Sequence, residues 1–87
     1  MTGTASAAIR LTLLSEREAD MILRALRPET ESSATHRSKV QVANEGRNLE
    51  LLFESTDTTA LRASINSYLS WLQLLTNIYK ALELKRT

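Results

Sequence analysis

Cysteine is absent from this chain. That excludes a disulfide, a thiolate nucleophile and any thiolate-held metal, and it sets the expectation of a reducing, cytoplasmic home. Histidine occurs once, as His36 beside Arg37 in a polar stretch, with no second acid–base group at a useful spacing. General acid–base chemistry and metal ligation therefore have little to build on. The only glycines are Gly3 and Gly46, too few for either common phosphate-cradling loop or for the GXXG loop of a KH module. Aromatics are scarce, and the only one in a strand-like run, Phe53, falls on the apolar side of its pattern. An RRM-type stacking platform is thus missing. Charge of one sign is also lacking: 11 Lys and Arg against 10 Asp and Glu leave +1, which advertises neither a nucleic-acid nor a membrane surface. No apolar run approaches the ~20 residues of a membrane span, and the start has no charged region followed by an apolar one. Glu50 and Glu54 sit on the polar side of one strand pattern, a solvated arrangement rather than a catalytic pair. These absences describe a non-enzyme with no catalytic residue, cofactor, metal or small-molecule ligand.

What is present is pattern. Ala7, Ile9, Leu11 and Leu13 alternate with Ser6, Ala8, Arg10 and Thr12, as in a strand with one buried face. Ser15 and Glu18 have the spacing of a capping box, with Leu14 and Ala19 placed for a hydrophobic staple across it. Ala19, Ile22, Leu23 and Leu26 then recur with helical period. Glu16, Glu18 and Asp20 early, and Arg24 and Arg27 late, complement the macrodipole of a helix ending near Leu26. Pro28, the single proline, is expected to stop it. Glu29 to His36 reads as a polar loop. Lys39–Val42 and Leu49–Glu54 read as two strands joined by a turn at Asn44–Arg47, with Val40, Val42, Leu49, Leu51 and Phe53 inward. Residues 1–4 are expected to be loose.

From Ser55 to Lys85 there is neither glycine nor proline, and one long helix is the economical reading, capped by Thr56 or Asp57. Its apolar residues span an arc of roughly 200°, about twice what a surface helix needs. Leu61, Ile65, Tyr68, Leu72 and Tyr79 make one seam. Ala60, Ala63, Trp71, Leu74 and Ile78 make another, with Leu75 and Leu82 between them. The fold expected is α+β: a three-stranded antiparallel sheet with both helices packed on one face, in the order β-α-β-β-α, as a single domain over residues 1–87. The first seam, centred on Leu61, Ile65 and Leu72, is expected to pack on the sheet through Ile9, Leu11, Val42 and Leu51. Met21, Ala25, Ala63, Ser67, Trp71, Leu74 and Ile78 are left as a partner interface, a groove between the helices. A chain this small cannot cover that surface alone, so a homodimer is expected.

Three segments carry a family resemblance: Leu26-Arg27-Pro28-Glu29, Arg37-Ser38-Lys39-Val40-Gln41-Val42 and Leu61-Arg62-Ala63-Ser64-Ile65-Asn66-Ser67-Tyr68-Leu69-Ser70-Trp71-Leu72. Between about Ile9 and Leu82 the chain resembles the archaeal-type small Pcc subunit of the KEOPS complex, the CTAG/Pcc family. The resemblance implies the same five-element fold and a homodimer. It also implies docking through both helices onto the ATPase-like catalytic subunit of a complex that makes threonylcarbamoyl-adenosine in tRNA. Catalysis then belongs to the partner, and tRNA is met through the complex. The alternative is a small RNA-binding domain touching tRNA directly, through a modest basic patch of Arg24, Arg27, Arg37 and Lys39.

Overall fold

The computed structural model describes residues 5–33 and 38–86. The elements are β1 (Ala5–Thr12), α1 (Glu16–Ser33), β2 (Ser38–Glu45), β3 (Asn48–Ser55) and α2 (Thr58–Arg86). The strands form one antiparallel sheet in the order β1-β3-β2, with both helices on one face. This is the α+β arrangement that the alternation of residues predicts. β1 and β2 run in the same direction on either side of β3, and α1 connects them as the crossover of a split β-α-β unit.

The core follows from the central strand. Leu49, Leu51 and Phe53 alternate inward and are wholly buried, with Ile22, Leu23 and Leu26 of α1 and Tyr68 and Leu72 of α2 closing over them. Burying side chains of this size is worth about 2–3 kcal/mol each. Phe53 meets Tyr68 edge-to-face at 5.7 Å, a favourable aromatic geometry. The other sheet face carries Ala8, Arg10, Thr12, Lys39, Gln41, Ala43, Leu52 and Glu54 to solvent. There Arg10 Nε donates to Glu50 Oε2 at 2.6 Å, and Thr12 Oγ1 donates to Asn48 Oδ1 at 2.9 Å across the β1–β3 register.

The β2–β3 turn consists of Gly46 and Arg47, with Glu45 paired to Asn48. Gly46 has φ 61°, and no other described residue has positive φ. Positive φ at the first central position alone is the type II′ hairpin turn, whose twist matches the strands.

Both helix starts are capped by the residues expected, with one rearrangement. The Glu18 backbone N–H donates to Ser15 Oγ at 3.1 Å. The Glu18 carboxylate accepts from Leu14 N–H at 2.9 Å, one residue earlier than in the usual box. The expected staple between Leu14 and Ala19 does not form: Leu14 is 70% exposed while Ala19 is buried. The alternation of β1 carries on past its end, so Leu13 turns in and Leu14 turns out. At α2, Asp57 Oδ1 accepts from Ala60 N–H at 2.7 Å, which makes Asp57 the N-cap.

The expected stop at Pro28 is overturned. α1 continues through it to Ser33, so Glu29–Ser33 is helix and not loop. Pro28 removes the N–H that would bond the Arg24 carbonyl, but Arg24 is exposed, so water can serve that oxygen. Glu29 and Glu31 are good helix formers and continue the spiral. Arg24 and Arg27 consequently sit mid-helix, and the last turn of α1 has no basic residue, so they do not oppose its C-terminal dipole as expected. Met1–Thr4, the rest of the expected loop at 34–36 with His36, and Arg37 of the basic patch lie outside the described residues.

A candidate docking surface

α1 and α2 lie side by side in opposite directions over the sheet. Ser15, at the start of α1, has its Oγ 3.4 Å from the hydroxyl of Tyr79, near the end of α2. Between about two and three turns further along the helix pair, Ala25 and Leu26 face Trp71, Leu74 and Leu75 across a groove of about 160 Å³. Nearer Tyr79, a wider hollow of about 410 Å³ is lined by Arg17, Met21, Tyr79, Leu82, Glu83 and Lys85. Arg17, Met21 and Ala25 are four residues apart and so fall on one stripe of α1, the stripe that borders α2. Small Ala25 keeps the groove open, because a longer side chain there would fill it.

On α2 the division is set by rotation. Tyr68 and Leu72 are buried in the core, Tyr79 is buried beside the start of α1, and Leu61 and Ile65 on the same side of the helix are half-buried against the core. Trp71 is half-buried too, edge-to-face with Tyr68 at 4.9 Å. It therefore serves as a wall of the groove and as part of the core margin. Beyond it, Leu74, Ile78 and Leu82 are 57%, 44% and 50% exposed. They recur every four residues and make an apolar ridge on the groove side of the helix. Ala63 and Ser67 are exposed on the same rotational flank, nearer the helix start.

Of the seven residues expected at a partner interface, Ala25, Trp71 and Leu74 line the groove and Met21 lines the neighbouring hollow. Ile78 lies on the ridge beside them. Ala63 and Ser67 line neither hollow. The sequence reading missed Arg17, Leu82 and Lys85, although Leu82 follows Ile78 at the same spacing of four that links Leu74 to Ile78. It also missed a second apolar hollow of about 380 Å³, on the far side of Tyr79, lined by Leu14, Tyr79, Lys80, Glu83 and Leu84. A staple across the capping box would cover Leu14, so the sequence pattern gives no sign of its exposure.

The surface is chemically plain. Arg24 is tied to Asp20 at 3.1 Å, a pair four residues apart on α1, so the proposed basic patch is partly neutralised by its own helix. No group of three metal-ligating side chains and no buried side-chain polar atom without a partner occurs among the described residues. No described helix is long and apolar enough to cross a membrane. Arg17, Glu83 and Lys85 edge an apolar hollow, the arrangement of a recognition surface with an apolar centre and a polar rim.

The chain is similar to known proteins in sequence and in fold. The profile of the family described as Transcription factor Pcc1 matches residues 6–80. The chain is 33% identical over 64 residues to the KEOPS complex subunit Pcc1 of Pyrococcus abyssi, covering 74% of this chain and 78% of that one. Its fold is similar to a chain of a solved binary complex of Gon7 with Pcc1, with a TM-score of 0.84, 17% identity and coverage of 93% and 99% of the two chains. A sheet built on β3, two antiparallel helices and a match across nearly the whole chain place it plainly: the chain belongs to the Pcc1 family.

Proposed function

We propose that this chain is a non-catalytic dimerisation and docking subunit of a KEOPS-type complex, which makes threonylcarbamoyl-adenosine in tRNA. The observation that carries the reading is the apolar ridge of Leu74, Ile78 and Leu82 beside the groove at Ala25 and Trp71. A ridge and groove between two antiparallel helices are shaped to receive a partner helix, whose apolar residues would sit at i, i+3, i+4 and i+7. The partner in this reading is the ATPase-like catalytic subunit, and the family relation to a KEOPS subunit supports that choice. tRNA is reached through the assembly, and the complex works in the cytoplasm.

The test is binding of the catalytic subunit by the intact chain and by Leu74→Asp and Ile78→Asp. Each substitution places a carboxylate where the partner's apolar surface would desolvate it. Truncation or charging of a central anchor costs ≥2 kcal/mol, about thirtyfold in affinity. Unchanged affinity in both variants would overturn the docking reading. Tight, salt-sensitive tRNA binding by the isolated chain would instead favour direct RNA recognition.

A further inference from the structure

The apolar ridge on α2 has no register of its own. Leu74, Ile78 and Leu82 recur every four residues and are similarly exposed, at 57%, 44% and 50%. An apolar helix shifted along them by one turn would meet much the same contacts. Charge is what distinguishes one position from another, and it is confined to one end of the surface.

On α1 the stripe bordering α2 runs from Arg17 through Met21 to Ala25, with its only charge at the start. The groove side of α2 is uncharged from Ala63 through Ile78 to Leu82 and then reaches Lys85. Because the helices are antiparallel, the start of α1 lies beside the end of α2. The two cations therefore come together, and both line the hollow of about 410 Å³ with Met21, Tyr79 and Leu82. The opposite end, between Ala25, Trp71 and Leu74, has no charged lining.

Neither Arg17 nor Lys85 has an ion pair or a side-chain hydrogen bond with a described residue. The nearby acids are engaged elsewhere. Asp20, three residues beyond Arg17, is held by Arg24 at 3.1 Å. Glu18 is buried and accepts from Leu14 N–H. Glu16 precedes Arg17 and points about 100° away around the helix. Glu83 lines the same hollow and has a partner of its own, so two cations against one acid leave that rim positive. Arg17, in the first turn of α1, also meets the positive end of its own helix dipole. A guanidinium and an ammonium beside an apolar hollow, with no acid of this chain turned to them, are complementary to a carboxylate brought by another chain.

We infer that Arg17 and Lys85 form an acid-recognising end of the docking surface. The partner helix carries an Asp or Glu beside its apolar face, and that carboxylate seats between the two cations and fixes the register of the helix on the ridge. The inference rests on the docking function proposed above and names what the catalytic subunit's helix must present. In the correct register the partner's apolar residues exclude water from the hollow, which strengthens the charge-assisted hydrogen bonds beyond those of an exposed pair. A helix slid by one turn lays its carboxylate on apolar surface and covers two unpaired cations. That penalty discriminates between registers which the ridge alone does not. A single polar position sets register in coiled coils in the same way.

The test is calorimetric binding of the purified catalytic subunit at low and at high salt. Arg17→Glu/Lys85→Glu should weaken binding by about tenfold or more at low salt, and the salt dependence seen with the intact chain should flatten or reverse. Lys39→Glu/Arg62→Glu makes the same change in net charge on the outer sheet face and on the side of α2 away from the groove, and should bind as the intact chain does. Replacing the acids of the partner's docking helices by lysine, one at a time, should find one position that restores binding to the reversed pair. A steric fault would show no such rescue. If the reversed pair binds as tightly as the intact chain, or loses no more than Lys39→Glu/Arg62→Glu, while Leu74→Asp and Ile78→Asp weaken binding, the acid-recognising end is overturned and the docking function stands. If the intact chain does not bind, or Leu74→Asp and Ile78→Asp bind as it does, both fall. Should circular dichroism show the reversed pair unfolded, Arg17→Gln/Lys85→Gln decides by the same comparison.

Discussion

Gly46 holds a φ of 61° at the first position of its turn, and nothing lies within 4 Å of where a Cβ would stand. The strain of a substitution there is therefore purely backbone. Gly46→Ala should cost about 1 kcal/mol, a fall of roughly 4–8 °C in the thermal midpoint of a domain this size. Asp57→Ala removes the oxygen that accepts from Ala60 and should cost a similar amount, typically about 1 kcal/mol in a denaturant titration. Asp57, Ser15 and Glu18 were legible because a cap depends on residues a few positions apart. The fate of Leu14 was not, because it depends on where the end of a strand leaves its side chain, a question of rotation rather than identity.

Among the elements, the strands and their inward residues follow from alternation alone, and the hairpin follows from one glycine. The end of α1 does not. The missing N–H of Pro28 and the restriction it places on Arg27 argue locally for a terminus there. Helix formers on both sides and the exposed position of Arg24 outweigh that local penalty. The same reasoning yields a prediction: Pro28→Ala restores the missing N–H and should stabilise the domain by up to about 3 kcal/mol. A thermal melt showing no gain would mean that the proline is relieved by some other adjustment. The strand order, with β3 central, was also beyond a reading of local patterns. Leu49, Leu51 and Phe53 form the most apolar inward row of the three strands, and they occupy the most enclosed position. The seam of α2 is expected to centre on Leu61, Ile65 and Leu72, but its buried residues are Tyr68, Leu72 and Tyr79, with Leu61 and Ile65 half-buried at the margin.

For the molecule as a whole, folding and association draw on different residues. Leu51→Asp places a charge in the fully buried centre and should unfold the chain, seen as loss of far-ultraviolet circular dichroism. Ile78→Asp should leave the spectrum unchanged. Trp71→Ala falls between the two, since its ring packs on Tyr68 as well as lining the groove, and it should lower both the melting midpoint and partner affinity. The overall shape adds a separate consequence. The molecule measures 47 × 21 × 18 Å, and its 29-residue α2 is about 43 Å long, against about 27 Å for an eight-residue strand. The accessible surface, 5885 Å², exceeds the roughly 5200 Å² of a compact monomer of this mass. The last turns of α2 beyond Tyr79 thus overhang the sheet. Their order in the isolated chain depends on helix propensity, which is marginal for so short a stretch. Amide exchange should register this as a gradient: slow at Tyr68 and Leu72, and progressively faster from Leu82 onward. A partner seated on the overhang would extend slow exchange to those amides, so the length of the protected helix becomes a direct gauge of occupancy.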